Sequence, residues 1–344
     1  MMVTIRDVAR KAGVSISTVS RVINGTAPIS QETRERVLGA VEELDFHPNA
    51  LARGLVTRRS KVVGLLISDI TNPFYPEVVC AVEEAAAIQG YEVILGNTRY
   101  DDERSRKFAR TLIERQVDGV IVMTNRITTE TLAKLASSVG PTVVFDIDVD
   151  GLAARGLIID AVLLDFSKTT RIATTYLASL GHRRIGFVSG PCELETALRR
   201  KEGFLSGMQQ AGLEIDSSLI EEGKFTLESG YEAMERILAR GNRLPTAIVA
   251  ANDMMALGAM RAIWSRGLSV PEDISVVGVD DIAFAQAFKP ALTTVALPRY
   301  EIGVEAVRLF IKAMRKSNVR RRKPMKVYLE PTLIVRESAA PPKA

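Results

Sequence analysis

From Lys61 onward, short apolar runs alternate with amphipathic stretches at helical spacing, and the alternation is run through twice. Val62–Ile67, Val93–Leu95, Val120–Met123 and Thr142–Phe145 read as strands, with helices expected over Glu77–Gln89, Arg104–Gln116 and Leu132–Ser137. The pattern then restarts with strand Ala161–Leu164, helix Thr169–Leu180 and strand Ile185–Val188. It continues through helices Leu198–Ala211 and Gly230–Ala239, strand Ala247–Ala250, helix Met254–Arg266 and strand Ser275–Val279. Consecutive strands separated by helices need crossover connections, which makes the sheets parallel and buries them on both faces. Two such units of about 100 residues predict two lobes and a cleft facing the strand carboxyl ends, where a small ligand binds.

The first sixty residues follow other rules. Thr4 followed by Asp7 makes a capping box with Asp in place of the usual Glu or Gln, and Ile5, Val8, Ala9 and Ala12 share one helical face. Gly13-Val14 breaks that helix, Ser15 caps a second over Ile16–Ile23, and Asn24-Gly25 ends it. Ser30 caps a third helix carrying Val37, Leu38, Val41 and Leu44, which closes a small core. Two short helices about a Gly-containing turn make a helix-turn-helix, although caps and apolar faces alone also fit a plain helical bundle. Charge sharpens the choice. Residues 1–61 hold ten Lys and Arg against six Asp and Glu, so the net +4 of the whole chain sits in this segment. A local excess of cations points to a polyanion.

Other function classes lose their raw material. At 344 residues the chain is long enough for two or three domains, and no apolar run reaches the ~18–20 residues of a membrane span. The N-terminus lacks the apolar segment of a secretory signal, so a cytoplasmic protein without membrane contact is expected. Cys80 and Cys192 stand far apart with no CxxC or Cys/His spacing, and are expected to be reduced, buried thiols. With His47 and His182 the only histidines, no histidine-based metal centre is expected, and no cofactor. No GxGxxG, GxxxxGK[ST] or GxSxG motif occurs, which speaks against a dehydrogenase, a P-loop enzyme or a hydrolase. A free sugar-binding transport protein would have no use for a DNA-reading head.

Thr4-Ile5-Arg6-Asp7-Val8-Ala9, Ala12-Gly13-Val14-Ser15, Thr18-Val19-Ser20-Arg21-Val22-Ile23-Asn24 and Thr33-Arg34-Glu35-Arg36-Val37 run in order and without gaps. They closely resemble the head of the lactose-repressor (LacI/GalR) family of bacterial transcription regulators. Phe46-His47-Pro48-Asn49-Ala50-Leu51-Ala52-Arg53-Gly54-Leu55 resembles that family's hinge. The resemblance implies that the second helix enters the major groove with Ile16, Ser17 and Arg21 facing bases. Arg21 offers a fork that suits guanine, and Ile16 suits a thymine methyl. Thr4, Ser15, Ser20 and Asn24 are read as phosphate contacts or caps. The hinge segment, with Asn49, Ala52, Arg53 and Leu55, is shorter than the ~12–15 residues an isolated helix needs. The family pairs this hinge across a dimer in the minor groove, with a leucine wedged into a base step, and Leu55 holds that position here.

Asp69-Ile70-Thr71-Asn72-Pro73-Phe74-Tyr75, Leu180-Gly181-His182-Arg183-Arg184-Ile185-Gly186, Ala251-Asn252-Asp253-Met254-Met255-Ala256 and Ser275-Val276-Val277-Gly278-Val279-Asp280-Asp281 look like the same family's effector domain. The implied fold is that of periplasmic sugar-binding proteins, the chain passing three times between lobes. By position, Arg200 resembles the ligand-gripping arginine, able to donate two parallel hydrogen bonds. Asp280 matches the acid that accepts from ligand hydroxyls, and Asn252 offers a donor and an acceptor. Phe74 and Tyr75 fall where the family places an aromatic wall, and Asp146 and Asp165 are weaker matches. Each has a second reading. Asp280 can simply cap a helix, with Asp281 as rival; Asn252 can cap the helix that follows it; Phe74 can be core. Phe166, after Asp165, stands where relatives often have Asn.

The expectation is therefore an α/β protein: an all-α helix-turn-helix head over 1–46, a hinge over 47–60, and a two-lobed effector-binding and dimerisation domain over 61–344. Its chain crossings are expected near 160, 290 and 322. It is read as a homodimeric, sequence-specific transcription regulator, a repressor rather than an enzyme, acting on pseudo-palindromic operator DNA. The expected effector is a sugar or sugar derivative, with a purine as the alternative. The basic run Arg320-Arg321-Arg322-Lys323 is read as a solvated loop between helix and strand.

Overall fold

The computed structural model describes residues 3–24, 28–46, 59–124, 126–241, 244–315 and 323–343. It forms two compact units, divided between Lys61 and Val62. The hinge residues Asn49, Ala52, Arg53 and Leu55 lie outside the described residues, as do the side chain of Asn24 and Arg320–Arg322.

The first unit holds helices α1 (Ile5–Ala12), α2 (Ile16–Asn24) and α3 (Gln31–Glu43). The Asp7 carboxylate accepts from the Thr4 N–H at 3.0 Å and from the Thr4 hydroxyl at 2.7 Å, which fixes the start of α1. Gly13 ends α1 at φ +64°, a left-handed conformation that permits the tight turn into α2. Arg36 of α3 straps that turn by donating to the Ala12 carbonyl at 2.5 Å. Val8, Ala12, Val19, Val22 and Val37 are buried between the helices. This core leaves the opposite face of α2 to solvent.

The second unit contains two six-stranded sheets. In the first lobe the strands are β1 (Val62–Ile67), β2 (Glu92–Asn97), β3 (Gly119–Met123), β4 (Thr142–Phe145), β5 (Asp160–Leu164) and β11 (Lys326–Leu329), in the order β11-β5-β4-β3-β1-β2. In the second they are β6 (Ile185–Ser189), β7 (Ile220–Glu222), β8 (Ala247–Ala250), β9 (Ser275–Asp280), β10 (Thr293–Ala296) and β12 (Thr332–Ile334), ordered β12-β10-β9-β8-β6-β7. Every pairing is parallel except β10 with β12. Helices α4 (Phe74–Ile88), α5 (Asp102–Glu114), α6 (Thr129–Ser138) and α7 (Asp150–Ala154) belong to the first lobe. Helices α8 (Phe166–Ser179), α9 (Glu195–Gln210), α10 (Leu227–Ala239), α11 (Asp253–Ser265) and α12 (Ala283–Ala287) belong to the second, and α13 (Arg299–Met314) returns to pack on α4. Both sheets follow the doubly wound order, in which ligands bind beyond the strand carboxyl ends where the winding reverses.

The chain passes between lobes three times: at Asp165 after β5, at Leu297-Pro298 between β10 and α13, and at Glu330-Pro331 between β11 and β12. The second and third passages replace the expected positions near 290 and 322. Thr293–Ala296 still pairs with β9, and the chain after 322 first adds β11 to the edge of the first lobe. Several helices begin two or three residues before their expected starts, because a capping residue fixes the first turn; Thr128 and Thr226 accept from Thr131 and Ser229. The cysteines correct another expectation. Both are exposed: Cys80 on the solvent side of α4 between buried Val78 and Val82, and Cys192 in the loop after β6. Among the described residues no helix is long and apolar enough to cross a membrane.

Candidate effector cleft and DNA-reading helix

In the head, the buried Val19 and Val22 point α2 inward, so Ile16, Ser17 and Arg21 come out exposed on one face, Ile16 at 46%. Ser15 is the cap of α2, its Oγ accepting from the Thr18 N–H at 3.1 Å, and Thr4 serves the start of α1. Both remain exposed and at helix N-termini, where backbone N–H groups and the helix dipole favour an anion. Ser20 is half-buried beside them.

In the second unit, eleven side chains line one cavity. Most sit at or just beyond the carboxyl end of a strand, while Thr196 and Arg200 come from the first two turns of α9. From the first lobe come Asn72, Phe74 and Tyr75 after β1, Tyr100 after β2, Met123 of β3 and Phe145 of β4; Phe166 follows the first crossing. Thr196 and Arg200 of α9, Phe225 after β7 and Asp280 of β9 complete it from the second lobe.

Arg200 and Asp280 form its charged floor. Arg200 Nη2 donates to Asp280 Oδ1 at 3.2 Å and Nη1 to the Ala251 carbonyl at 2.6 Å. The guanidinium lies over the Phe166 ring at 4.7 Å and the Phe225 ring at 5.5 Å, within cation–π range. Both charged side chains are more than nine-tenths buried, and Arg200 Nε, itself buried, has no partner. A buried donor left unpaired is costly, and a ligand acceptor would relieve that cost. Burial pushes the Asp280 carboxyl up to about 6, although Arg200 and Arg299 pull it down. The walls are aromatic: Phe74 meets Tyr75 edge-on at 5.1 Å and Phe145 at 6.4 Å, and Phe145 meets Phe166 edge-on at 6.2 Å. Burial also raises the Tyr75 and Tyr100 hydroxyl pKa values, so both stay neutral donors.

The other proposed contacts go elsewhere. Asn252 is spent: its Oδ1 caps α11 by accepting from Met255 N–H at 3.0 Å, and its Nδ2 donates to the Phe225 carbonyl at 3.1 Å. Asp165 caps α8, accepting from Lys168 N–H at 3.1 Å and from Ser167 Oγ at 2.8 Å. Asp146 is buried but paired with Arg199 instead of lining the cavity. Asp281 pairs with Arg336 at 2.6 Å, which leaves Asp280 as the acid of the cleft. Phe74 serves both readings, since it lines the cavity while packed in the core. Asn72, Tyr100, Met123, Phe145, Phe166, Thr196 and Phe225 were not singled out as contacts. For Tyr100, Met123, Phe145 and Phe166 the signal is position at or just past the end of an expected apolar strand; Thr196 and Phe225 carry no such signal.

The helix-turn-helix head and the doubly wound cleft define a ligand-responsive DNA-binding protein. Residues 4–49 match the model described as bacterial regulatory proteins, lacI family, and residues 174–339 match a periplasmic binding protein-like domain. The chain is similar to the HTH-type transcriptional repressor PurR of Pasteurella multocida, 38% identical over 339 residues covering 98% of both chains. Among solved structures, it matches a lac repressor dimer bound to operator and the anti-inducer ONPF. That match is 28% identical with TM-score 0.87, covering 99% of this chain and 100% of the other. It also matches the transcriptional regulator CelR in complex with cellobiose, 32% identical with TM-score 0.71, covering 98% and 99%. The chain belongs to the lacI family of bacterial regulatory proteins, and is a DNA-binding transcription regulator rather than an enzyme.

Proposed function

We propose that the chain represses transcription as a homodimer in the cytoplasm, reading a pseudo-palindromic operator with two heads. A small ring compound held in the cleft sets its affinity for that DNA. The observation that carries the effector reading is the buried Arg200–Asp280 pair on an aromatic-walled floor. Arg200 supplies donors and the ionised Asp280 accepts, so the pair orients a ligand that has both kinds of group. A sugar or sugar derivative meets this need, its C–H face lying on an aromatic ring. The cellobiose bound by the related CelR supports that reading.

A purine or similar flat heterocycle is the second reading, and one observation favours it. Six of the eleven lining residues are aromatic, and the non-aromatic polar ones are Asn72, Thr196, Arg200 and Asp280. A polyol buried there must match its hydroxyls to these four groups and the two tyrosine hydroxyls, and each one left unpaired costs about 1–3 kcal/mol. A thermal-shift screen of sugars, sugar phosphates, sugar acids and purines separates the two. The hit should lose about 2–5 kcal/mol of affinity in Arg200→Ala or Asp280→Ala. A compound that both variants bind as tightly as the unmodified protein removes this pocket assignment.

A further inference from the structure

Arg199 and Arg200 are neighbours on α9 but serve opposite walls of the cleft. Arg200 bonds within the second lobe, whereas Arg199 reaches across to the first. Its Nη1 lies 3.0 Å from each carboxylate oxygen of Asp146, which follows β4, and its Nη2 donates to the carbonyl of Leu164, the last residue of β5, at 3.2 Å. The Asp146 side chain is 2% exposed and Arg199 31% exposed.

We propose that the Arg199–Asp146 pair is a latch between the lobes, favouring their closed arrangement. Its regulatory consequence rests on the reading of the cleft as an effector site; closure itself is a property of the lobes alone. Opening takes the guanidinium away from a carboxylate that is nearly dry. Asp146 must then rehydrate, take up a proton or stay buried without its cation, and each of these costs free energy relative to the closed pair. The second pair across this side, Arg126 with Glu193 at 3.8 Å, is long and its acid is 55% exposed, so it adds little. The latch is also tied to the cavity. Arg199 and Arg200 lie over the same Phe166 ring, at 5.9 and 4.7 Å, so an effector that moves Phe166 or Arg200 moves the latch as well.

The chain carries its own reporters. Its two cysteines are exposed, Cys80 on the first lobe and Cys192 on the second. Spin labels on both, in full-length ligand-free protein diluted with unlabelled chains, report the distance between lobes by pulsed electron paramagnetic resonance. The unmodified protein should give one short, narrow distribution. Asp146→Asn and Arg199→Met should each shift it to longer, broader distances, with the double variant no further than either alone. Arg199→Lys keeps a cation without the fork and should fall between, and a cooperative melt shows that each variant folds. Unchanged distances in both single variants, or single shifts that add in the double, overturn the latch.

The effector arm separates this proposal from the one beneath it. If Arg199→Met leaves about a tenth of the molecules closed, a screened hit that needs the closed form should bind about tenfold more weakly. Wild-type distances together with wild-type effector binding overturn the latch alone. A protein that opens on Arg199→Met yet binds none of the screened sugars or purines overturns the effector reading and upholds the latch.

Discussion

Asp280 ends β9 at φ +117° and Asp281 follows at φ +58°, conformations that a non-glycine residue holds only when its surroundings fix them. Asp253 supplies the fixing. Fully buried, it accepts from the Thr294 hydroxyl at 2.6 Å and from the Ile282 N–H at 2.9 Å, tying the turn to β10. The turn thus presents the Asp280 carboxyl to the cleft while Asp281 is held by Arg336. A ligand that donates to Asp280 needs the ionised form. Binding lowers a pKa that stands at about 6, and so releases a proton. Affinity should then fall as pH drops through about 6, by up to tenfold per unit, and Asp280→Asn should be weaker and lose that part of the dependence. Titration calorimetry in buffers between about pH 5 and 8 reads both. Sequence alone left Asp280 and Asp281 as rivals, because neighbouring acids differ only in what folding brings against them. Asn252 shows the same limit: an amide before a helix reads equally as ligand contact or cap, and here the cap takes it.

At the scale of elements, the charged floor depends on how closely α9 lies on α8. Gly203 allows the approach: a Cβ there would stand 1.9 Å from the backbone carbonyl of Ser167. No side chain can yield to relieve that contact, so Gly203→Ala must push α9 outward and carry Arg199 and Arg200 with it. Overpacking of this kind costs roughly 1–3 kcal/mol or more. A lower urea midpoint should accompany weaker effector binding, while the head keeps its DNA contacts. In the head, Arg21→Ala on α2 should cost about 1–3 kcal/mol of operator affinity and relax one base position per half-site, as read by binding to a panel of single-base operator variants. Long elements were legible because their apolar period extends over several turns or a whole strand. The three-residue β7 and five-residue α12 were not, since so few residues establish no period. The far wall of the cleft was hidden for a related reason. Phe145, Phe166 and Phe225 come from a strand end, a helix start and a loop far apart in the chain, and only the sheet order shows that these converge.

At the scale of the whole molecule, the proposed homodimer would bring two heads together, each reading half a site. Light scattering at low micromolar concentration should give twice the chain mass of 37.6 kDa. A tetramer would overturn this. The coupling between cleft and operator is reciprocal by thermodynamic necessity, so whichever way the effector shifts DNA affinity, operator DNA shifts effector affinity by the same factor. Matched titrations, each with and without the other ligand, measure it.

The three passages between lobes also order events in time. Strand β11, from late in the chain, completes the first sheet; β12 and Ser338 complete the second, Ser338 donating to the Val276 carbonyl at 2.6 Å. The head builds its core entirely from residues of the first unit. On a translating ribosome it emerges first and can fold at once, while both sheets wait for the last strands before their edges close. Synthesis thus delivers the reader of DNA early, and its control late and nearly all together. A chain broken off before β11 would carry a finished head on two unfinished lobes.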